Sequence, residues 1–179
     1  MSANIYINNS LAELRKYKEM AEKAVAQISD DDFFRELSDV DNSIAIIVKH
    51  MAGNMRSRWR DFLSSDGEKD DRQRDTEFEI YESDSKESLM QKWEEGWKLC
   101  FDSIGPLKPE DLEKTIYIRA EVHTVLEAIN RQLTHYTYHV GQIVYLARHF
   151  AGQNWKSLSI PKGESDSCNV SKFGDIDKE

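Results

Sequence analysis

Apolar residues recur every three or four positions in four separate stretches, and this spacing constrains the fold more than any other feature. The first stretch follows Ser10, which is placed to cap a helix, and the second covers about residues 41–65. The third covers about 86–104, and the fourth runs from Thr124 to about residue 150. A stripe of this kind buries one side of a helix, so the pattern predicts four helices packed around a shared core.

The connection between the second and third helices is long, polar and without periodicity, and covers about residues 65–84. Such a connection can cross the full length of a bundle, so these two helices are predicted to run parallel. Its charges are interpreted as those of a solvated loop. Residues 115–123 alternate apolar and polar side chains, which predicts a brief extended segment, not a sheet.

These elements predict an all-α fold, a four-helix bundle that forms a single domain over residues 1–179. Residues 160–179 are expected to be an irregular tail, since they are rich in Ser, Asp and Gly and carry no helical stripe.

The formal net charge of −9 argues against some partners. An acidic surface repels phosphate backbones and anionic lipids, so neither nucleic acid nor a membrane is expected as a partner. No apolar stretch reaches the roughly 18–20 residues that span a bilayer, and the first residues do not resemble a secretory signal. A cytoplasmic protein is therefore expected. Cys100 and Cys168 form no CxxC pair, so thiol redox chemistry is not indicated.

Two histidines lie four positions apart in the fourth helix, within the sequence HYTYH. In a helix, His135 and His139 lie one turn apart on nearly the same face, so both can reach one metal ion. The same spacing also occurs in helices that bind no metal. From this pair alone, a metal site and two ordinary polar surface residues both remain open.

A third ligand would have to come from another helix, and His50 is the natural candidate. It lies at the flank of the apolar stripe in the second helix, where Arg58 is also placed and could orient an anionic group of a substrate. Three neutral imidazoles leave coordination positions for water or substrate, as in catalytic sites. Alternatively, His50 bonds a backbone carbonyl or a carboxylate. His123 and His149 are predicted to lie outside this group.

No other catalytic pattern is present in the sequence. It contains no glycine-rich phosphate loop and no GxSxG nucleophile elbow, and the acidic connection lacks the ligand spacing of an EF-hand. No residue is identified as catalytic.

Three segments carry a resemblance to a known family: SIAIIVKHMAGNMRSRWRDFL, then DGE with RDTEFE, then AINRQLTHYTYHVGQIVYLAR. Together they resemble the DinB/YfiT-like superfamily of small bacterial metal-binding proteins, and within it a subfamily of unknown function. The resemblance covers about residues 8–165. Its specific part is the histidine of the second helix together with HxxxHxGQI in the fourth.

The resemblance implies an up-down-down-up bundle, a homodimer, and a divalent ion such as Zn or Ni held by His50, His135 and His139. Some members of the superfamily are transferases that use bacillithiol or a similar low-molecular-weight thiol, and others are metal hydrolases. It follows that a metal-dependent enzyme acting on a small molecule is the leading hypothesis. A non-enzymatic metal-binding or stress-response dimer is the alternative, and histidines without a metal are the third.

Overall fold

The computed structural model describes residues 2–173, and this part of the chain is mostly helical, which confirms the all-α class. Its helices are α1 (Ser2–Val25), α2 (Asp30–Phe34), α3 (Ile44–Trp59), α4 (Lys86–Ile104), α5 (Val125–Ala151) and α6 (Ser165–Phe173). Short 3₁₀ turns lie at Arg74–Phe78, Pro109–Asp111 and Gly152–Asn154. The four predicted helices correspond to α1, α3, α4 and α5.

Three of the long helices begin at hydroxyl side chains that accept a hydrogen bond from a first-turn amide. These residues are Ser43 for α3, Ser85 for α4 and Thr124 for α5. Such a bond satisfies a backbone donor that has no partner within the helix. Thr124 also forms a capping box with Glu127.

Helix α1 begins earlier than predicted, at Ser2, so the prediction of a cap at Ser10 is wrong. Ser10 is buried within the helix. The earlier turns are held by tertiary contacts, because Ile7 is buried in the core and the Tyr6 hydroxyl donates to the carbonyl of Leu126 at the start of α5. At the other end of α1, Gln27 bonds the backbone of Lys156, just beyond α5.

Helices α3 and α4 contact each other along their length in the same direction. Lys49, near the start of α3, pairs with Asp84 just before α4 at 2.7 Å. At the opposite ends, the Ser103 hydroxyl donates to the carbonyl of Trp59. The side chains between them belong to a continuous apolar core, whose largest fully buried members are Trp59, Trp93, Trp97, Tyr136 and Phe33.

Residues 115–124 form a two-stranded antiparallel hairpin, β1 (Thr115–Ile118) and β2 (Glu121–Thr124), where only an extended segment was predicted. Its two turn residues, Arg119 and Ala120, have φ values of 56° and 61°. Such a turn matches the twist of the two strands, although non-glycine residues rarely adopt it. The Asp66 carboxylate accepts hydrogen bonds from both backbone amides and holds the turn.

Two further segments differ from the sequence prediction. The connection between α3 and α4 contains the 3₁₀ turn Arg74–Phe78 and carries buried charges, so its interpretation as a solvated loop is wrong. In the predicted irregular tail, residues 165–173 form helix α6, while residues 174–179 lie outside the described part of the chain.

Candidate metal centre

Three histidines from two helices meet in the structure, and they are the three chosen from the sequence. His50 comes from the middle of α3, and His135 and His139 come from successive turns of α5. One ring nitrogen from each lies within 4.8 Å of the others. His50 is buried and the other two are half-buried.

His50 is fixed in orientation by a buried carboxylate. Its Nδ1 lies 2.8 Å from Oε2 of Glu77, and a carboxylate only accepts, so Nδ1 carries the proton. In the neutral tautomer with the proton on Nδ1, Nε2 carries the lone pair that ligates a metal. The ring of Phe78 packs beside His50, with centroids 5.0 Å apart.

Glu77 is in turn held by Arg72. The guanidinium Nε and Nη2 donate to its two oxygens at 2.8 and 2.9 Å, and Nη1 donates to Glu68 at 3.1 Å. Burial alone would raise the pKa of Glu77, but the hydrogen bonds from His50 and Arg72 outweigh it and hold the pKa below the usual value. The carboxylate beside His50 is therefore ionised at neutral pH.

The close approach of Glu77 to α3 requires a glycine at position 53. A Cβ atom placed on Gly53 would lie 2.3 Å from Oε1 and 2.7 Å from Cδ of Glu77. Both distances are far below an ordinary van der Waals contact. Gly53, one turn from His50 on the same helix, thus makes room for the carboxylate that orients the imidazole.

His139 is oriented by a residue of its own helix. Its Nδ1 donates to Oε1 of Gln142 at 2.7 Å, while the amide nitrogen of Gln142 donates to the Tyr138 hydroxyl at 3.3 Å. His139 Nε2 then carries the lone pair, and it lies 3.0 Å from Nε2 of His135. Gln142 belongs to the HVGQI sequence, so its place in that motif now has a physical reason.

His135 lies where a positive charge is unfavourable. Burial, and after it the neighbouring His139 and His50, lower its pKa from 6.5 to about 3. Burial also lowers the pKa of His139. Nδ1 of His135 is buried and has no hydrogen-bond partner among residues 2–173. The pair is consequently neutral at physiological pH, the state in which imidazole ligates a metal.

These residues fit a divalent ion. Tetrahedral zinc with bonds of about 2.0–2.1 Å places ligand nitrogens about 3.3 Å apart, so the observed separations need only small side-chain adjustments. The two oriented rings have the second hydrogen bond that metal-ligating histidines usually make. Three imidazoles from α3 and α5 would hold the ion.

A cavity of about 420 Å³ opens directly beside the cluster and is bordered by His50 and His135. Arg58, which the sequence placed on the His50 flank, lines it as well. His123 lies on β2 near Glu121, and His149 is exposed near the end of α5, so both are outside the cluster, as predicted.

The sequence did not identify Glu77 or Arg72. Both belong to the connection that was interpreted as solvated, although their side chains are only 9% and 5% exposed. One signal was available, because Phe78, Ile80 and Tyr81 are large apolar or aromatic residues in a mostly polar segment, and such residues indicate contacts with the rest of the fold. Of the three, Phe78 packs beside His50.

The fold and the cluster define a mostly helical protein with a three-histidine group that could hold a metal ion. A family model described as "Protein of unknown function (DUF1572)" matches residues 1–164, so the chain belongs to that family. No curated protein and no solved structure matched the chain. Across the described residues, no helix combines the length and the apolar character required to cross a membrane.

Proposed function

We propose that the protein binds a divalent metal ion, zinc or nickel, through His50, His135 and His139, and uses it as an enzyme on a small electrophilic molecule. The observation that carries this proposal is the convergence of three imidazoles beside an open cavity. Two of the rings are held by Glu77 and Gln142 so that Nε2 is left for a ligand. A bound ion of this kind leaves positions for water or a thiol and lowers the pKa of that ligand.

The protein's own residues would set the conditions for that chemistry. The Glu77–Arg72 pair fixes the His50 ring and adds no net charge at the centre, so three neutral imidazoles leave the ion its full positive charge. The apolar core packed behind the cluster limits access to the cavity side. Transfer of a low-molecular-weight thiol such as bacillithiol, or hydrolysis, is the proposed reaction, in keeping with the resemblance to the DinB/YfiT-like superfamily.

The alternative is a non-enzymatic metal-binding or stress-response dimer, in which the ion is structural or sensory. One observation favours it. Within residues 2–173, the carboxylate that is hydrogen-bonded to the cluster belongs to Glu77, and both of its oxygens accept N–H groups from Arg72. Glu77 is therefore occupied as a support for His50 and is poorly placed to act as a general base.

The proposal extends to the assembly and its setting. An up-down-down-up bundle is supported by the parallel contacts of α3 with α4 and of the ends of α1 with those of α5. A homodimer in a bacterial cytoplasm is proposed from the superfamily resemblance. Sedimentation equilibrium on the metal-loaded protein would distinguish a dimer from a monomer.

Metal content measured by elemental analysis is the first test. The purified protein is expected to hold about one ion per chain. His50→Ala and His139→Ala are each expected to lose it, because two imidazoles bind a divalent ion much more weakly than three. His149→Ala is the matched control, since His149 is on the same helix as His139 and exposed. Unchanged metal in both cluster variants would end the proposal.

Turnover separates the two functions once metal binding is established. The loaded protein and the metal-free protein are incubated with bacillithiol and a panel of electrophiles, and with hydrolysable esters. Product formed only by the loaded protein supports the enzyme. Stoichiometric metal without turnover, and a melting temperature that depends on the metal, supports the structural or sensory alternative.

A further inference from the structure

The cavity beside the three histidines is strongly basic, although the chain as a whole has a net charge of −9. Of the residues that line it, five are arginines and none is acidic: Arg58, Arg72, Arg74, Arg119 and Arg131. They come from α3, from the connection that follows it, from the hairpin turn and from α5. Tertiary structure therefore collects positive charge here from separate parts of the sequence.

The arginines are not neutralised by the carboxylates near them. Glu68 is shared by three of them, at 3.1 Å from Arg72, 3.4 Å from Arg119 and 4.0 Å from Arg58. Glu77 is occupied by Arg72 and His50. Arg74 has only the fully exposed carboxylate of Asp75 beside it, at 3.9 Å. Three carboxylates near five guanidinium groups leave an excess of positive charge at the cavity wall, next to the proposed cation.

Arg58 is the most informative member of the group. Its side chain is 6% exposed, and its Nε and Nη1 atoms have no hydrogen-bond partner within the described residues. A buried charged donor without an acceptor destabilises a fold, and such groups are usually paired. The carboxylate paired with it, Glu68, is 4.0 Å away and shared with two other arginines, so an oxyanion in the cavity that Arg58 lines would supply further negative charge to its guanidinium group.

Arg119 is held at the cavity by an unfavourable backbone conformation. It has a positive φ, and its backbone amide is fixed by the Asp66 carboxylate at 2.8 Å. Non-glycine residues in this region are concentrated at functional sites. The hairpin turn therefore brings Arg119 to a cavity that is also lined by Arg131 of α5, the helix that carries His135 and His139.

We propose that this cavity binds the anionic group of the substrate, a phosphate or a carboxylate, and holds the reactive part of the same molecule at the three-histidine cluster. This inference rests on the proposed metal-dependent function. Guanidinium groups are the side chains best suited to oxyanions, and the volume suits a small metabolite. A nucleic acid is disfavoured as the source of the phosphate, because the overall charge repels a polyanion.

Calorimetric titration with inorganic phosphate and with malonate, at ionic strength held constant with chloride, tests the inference. Phosphate also binds zinc directly, so the metal-free and zinc-loaded proteins are titrated separately. Arg131→Gln and Arg119→Gln alter exposed residues and are expected to weaken binding about two- to fivefold each. Arg58→Met is expected to weaken it at least tenfold. Arg148→Gln, an exposed arginine of α5 outside the cavity, is the matched control.

Binding of either anion to the metal-free protein that is weakened by Arg131→Gln and Arg119→Gln, but not by Arg148→Gln, supports the inference. The tighter of the two anions identifies phosphate or carboxylate. This reading does not depend on Arg58→Met, should that variant fail to fold. The inference is overturned if neither anion binds more tightly than chloride does. It is also overturned if Arg148→Gln weakens binding as much as Arg131→Gln and Arg119→Gln do. Zinc content is measured on the same samples and tests the proposed function separately. If the anion binds but zinc does not, the proposed function fails.

Discussion

Gly53 and Gly141 both lie inside helices, and replacing each by alanine separates a packing effect from a helix effect. Alanine favours a helix over glycine by about 0.5–1 kcal/mol. At Gly141 an added Cβ meets nothing within 4 Å. We therefore expect Gly141→Ala to raise the free energy of unfolding by about that amount.

At Gly53 the same methyl group collides with Glu77, the residue that orients His50 in the candidate metal centre. The new Cβ would lie 2.3 Å from Oε1 of Glu77, and ordinary contact begins at about 3.4 Å, so the carboxylate must move by about 1 Å. Its hydrogen bonds to His50 and Arg72 measure 2.8–2.9 Å and do not survive that displacement intact. Overpacking costs about 1–3 kcal/mol, and complete loss of a buried charge partner about 3–5.

Overpacking and a partial loss of the charge pairing, less the helix gain of about 0.5–1 kcal/mol, are expected to lower the free energy of unfolding of Gly53→Ala by about 1–3 kcal/mol. Because His50 loses its acceptor, metal affinity is expected to fall about 10- to 100-fold. Denaturant titration of the metal-free variants measures the first effect, and zinc titration against a competing chelator measures the second. If Gly53→Ala were as stable as Gly141→Ala and bound zinc as tightly as the original chain, Glu77 would not be what positions His50.

Two further outcomes follow from the same contacts. Glu77→Gln keeps the shape of the side chain but removes its charge, so metal affinity is expected to fall about 10- to 100-fold. Glu79→Gln, at an exposed position nearby, should leave metal affinity unchanged. Equal affinities of the two variants in a chelator competition would contradict the role of the Glu77 charge. Burial and the neighbouring histidines lower the pKa of His135 from 6.5 to about 3, so the folded chain binds fewer protons than the unfolded chain between these values. Stability of the metal-free protein should accordingly be complete above about pH 7 and fall on acidification, by about 1 kcal/mol at pH 5.5, and denaturant titrations showing a rise instead would refute it.

The convergence of the three histidines could be predicted from the sequence because it depends on helix geometry. The spacing of His135 and His139 fixes their common face whatever surrounds them. His50 needed one more step, namely that the flank of its apolar stripe would border the neighbouring helix. Both steps use the periodicity that also predicted the four long helices.

The residues that orient His50 could not be predicted in this way. Glu77 and Arg72 lie in a connection without periodicity, where a buried ion pair and a pair of solvated charges have the same local sequence. Which of the two occurs depends on where the connection lies against α3, and this is decided by contacts such as that of Phe78 with His50. A polar connection of this length therefore carries structural information that its composition hides.

The start of α1 and the hairpin turn were missed for the same physical reason. Each is stabilised by partners distant in sequence, Tyr6 by the carbonyl of Leu126 and the turn by the carboxylate of Asp66. Local propensity predicts neither feature. The asparagines before Ser10 favour a helix start at that point, and Arg119 disfavours a tight turn that needs a positive φ. Tertiary hydrogen bonds override both preferences.

The net charge of the chain also fails to predict the local charge of the cavity. It averages over the chain, whereas the cavity gathers its arginines from four segments, so an acidic protein presents a basic pocket. Within that cavity the arginines make different contacts. Arg72 uses its N–H groups on Glu68 and Glu77, and Arg74 lies over the Phe78 ring and beside Asp75. An anion would therefore be held mainly by Arg58, Arg119 and Arg131. This division lets the cavity accept a negatively charged group without removing Arg72 from Glu77, and so without disturbing the orientation of His50.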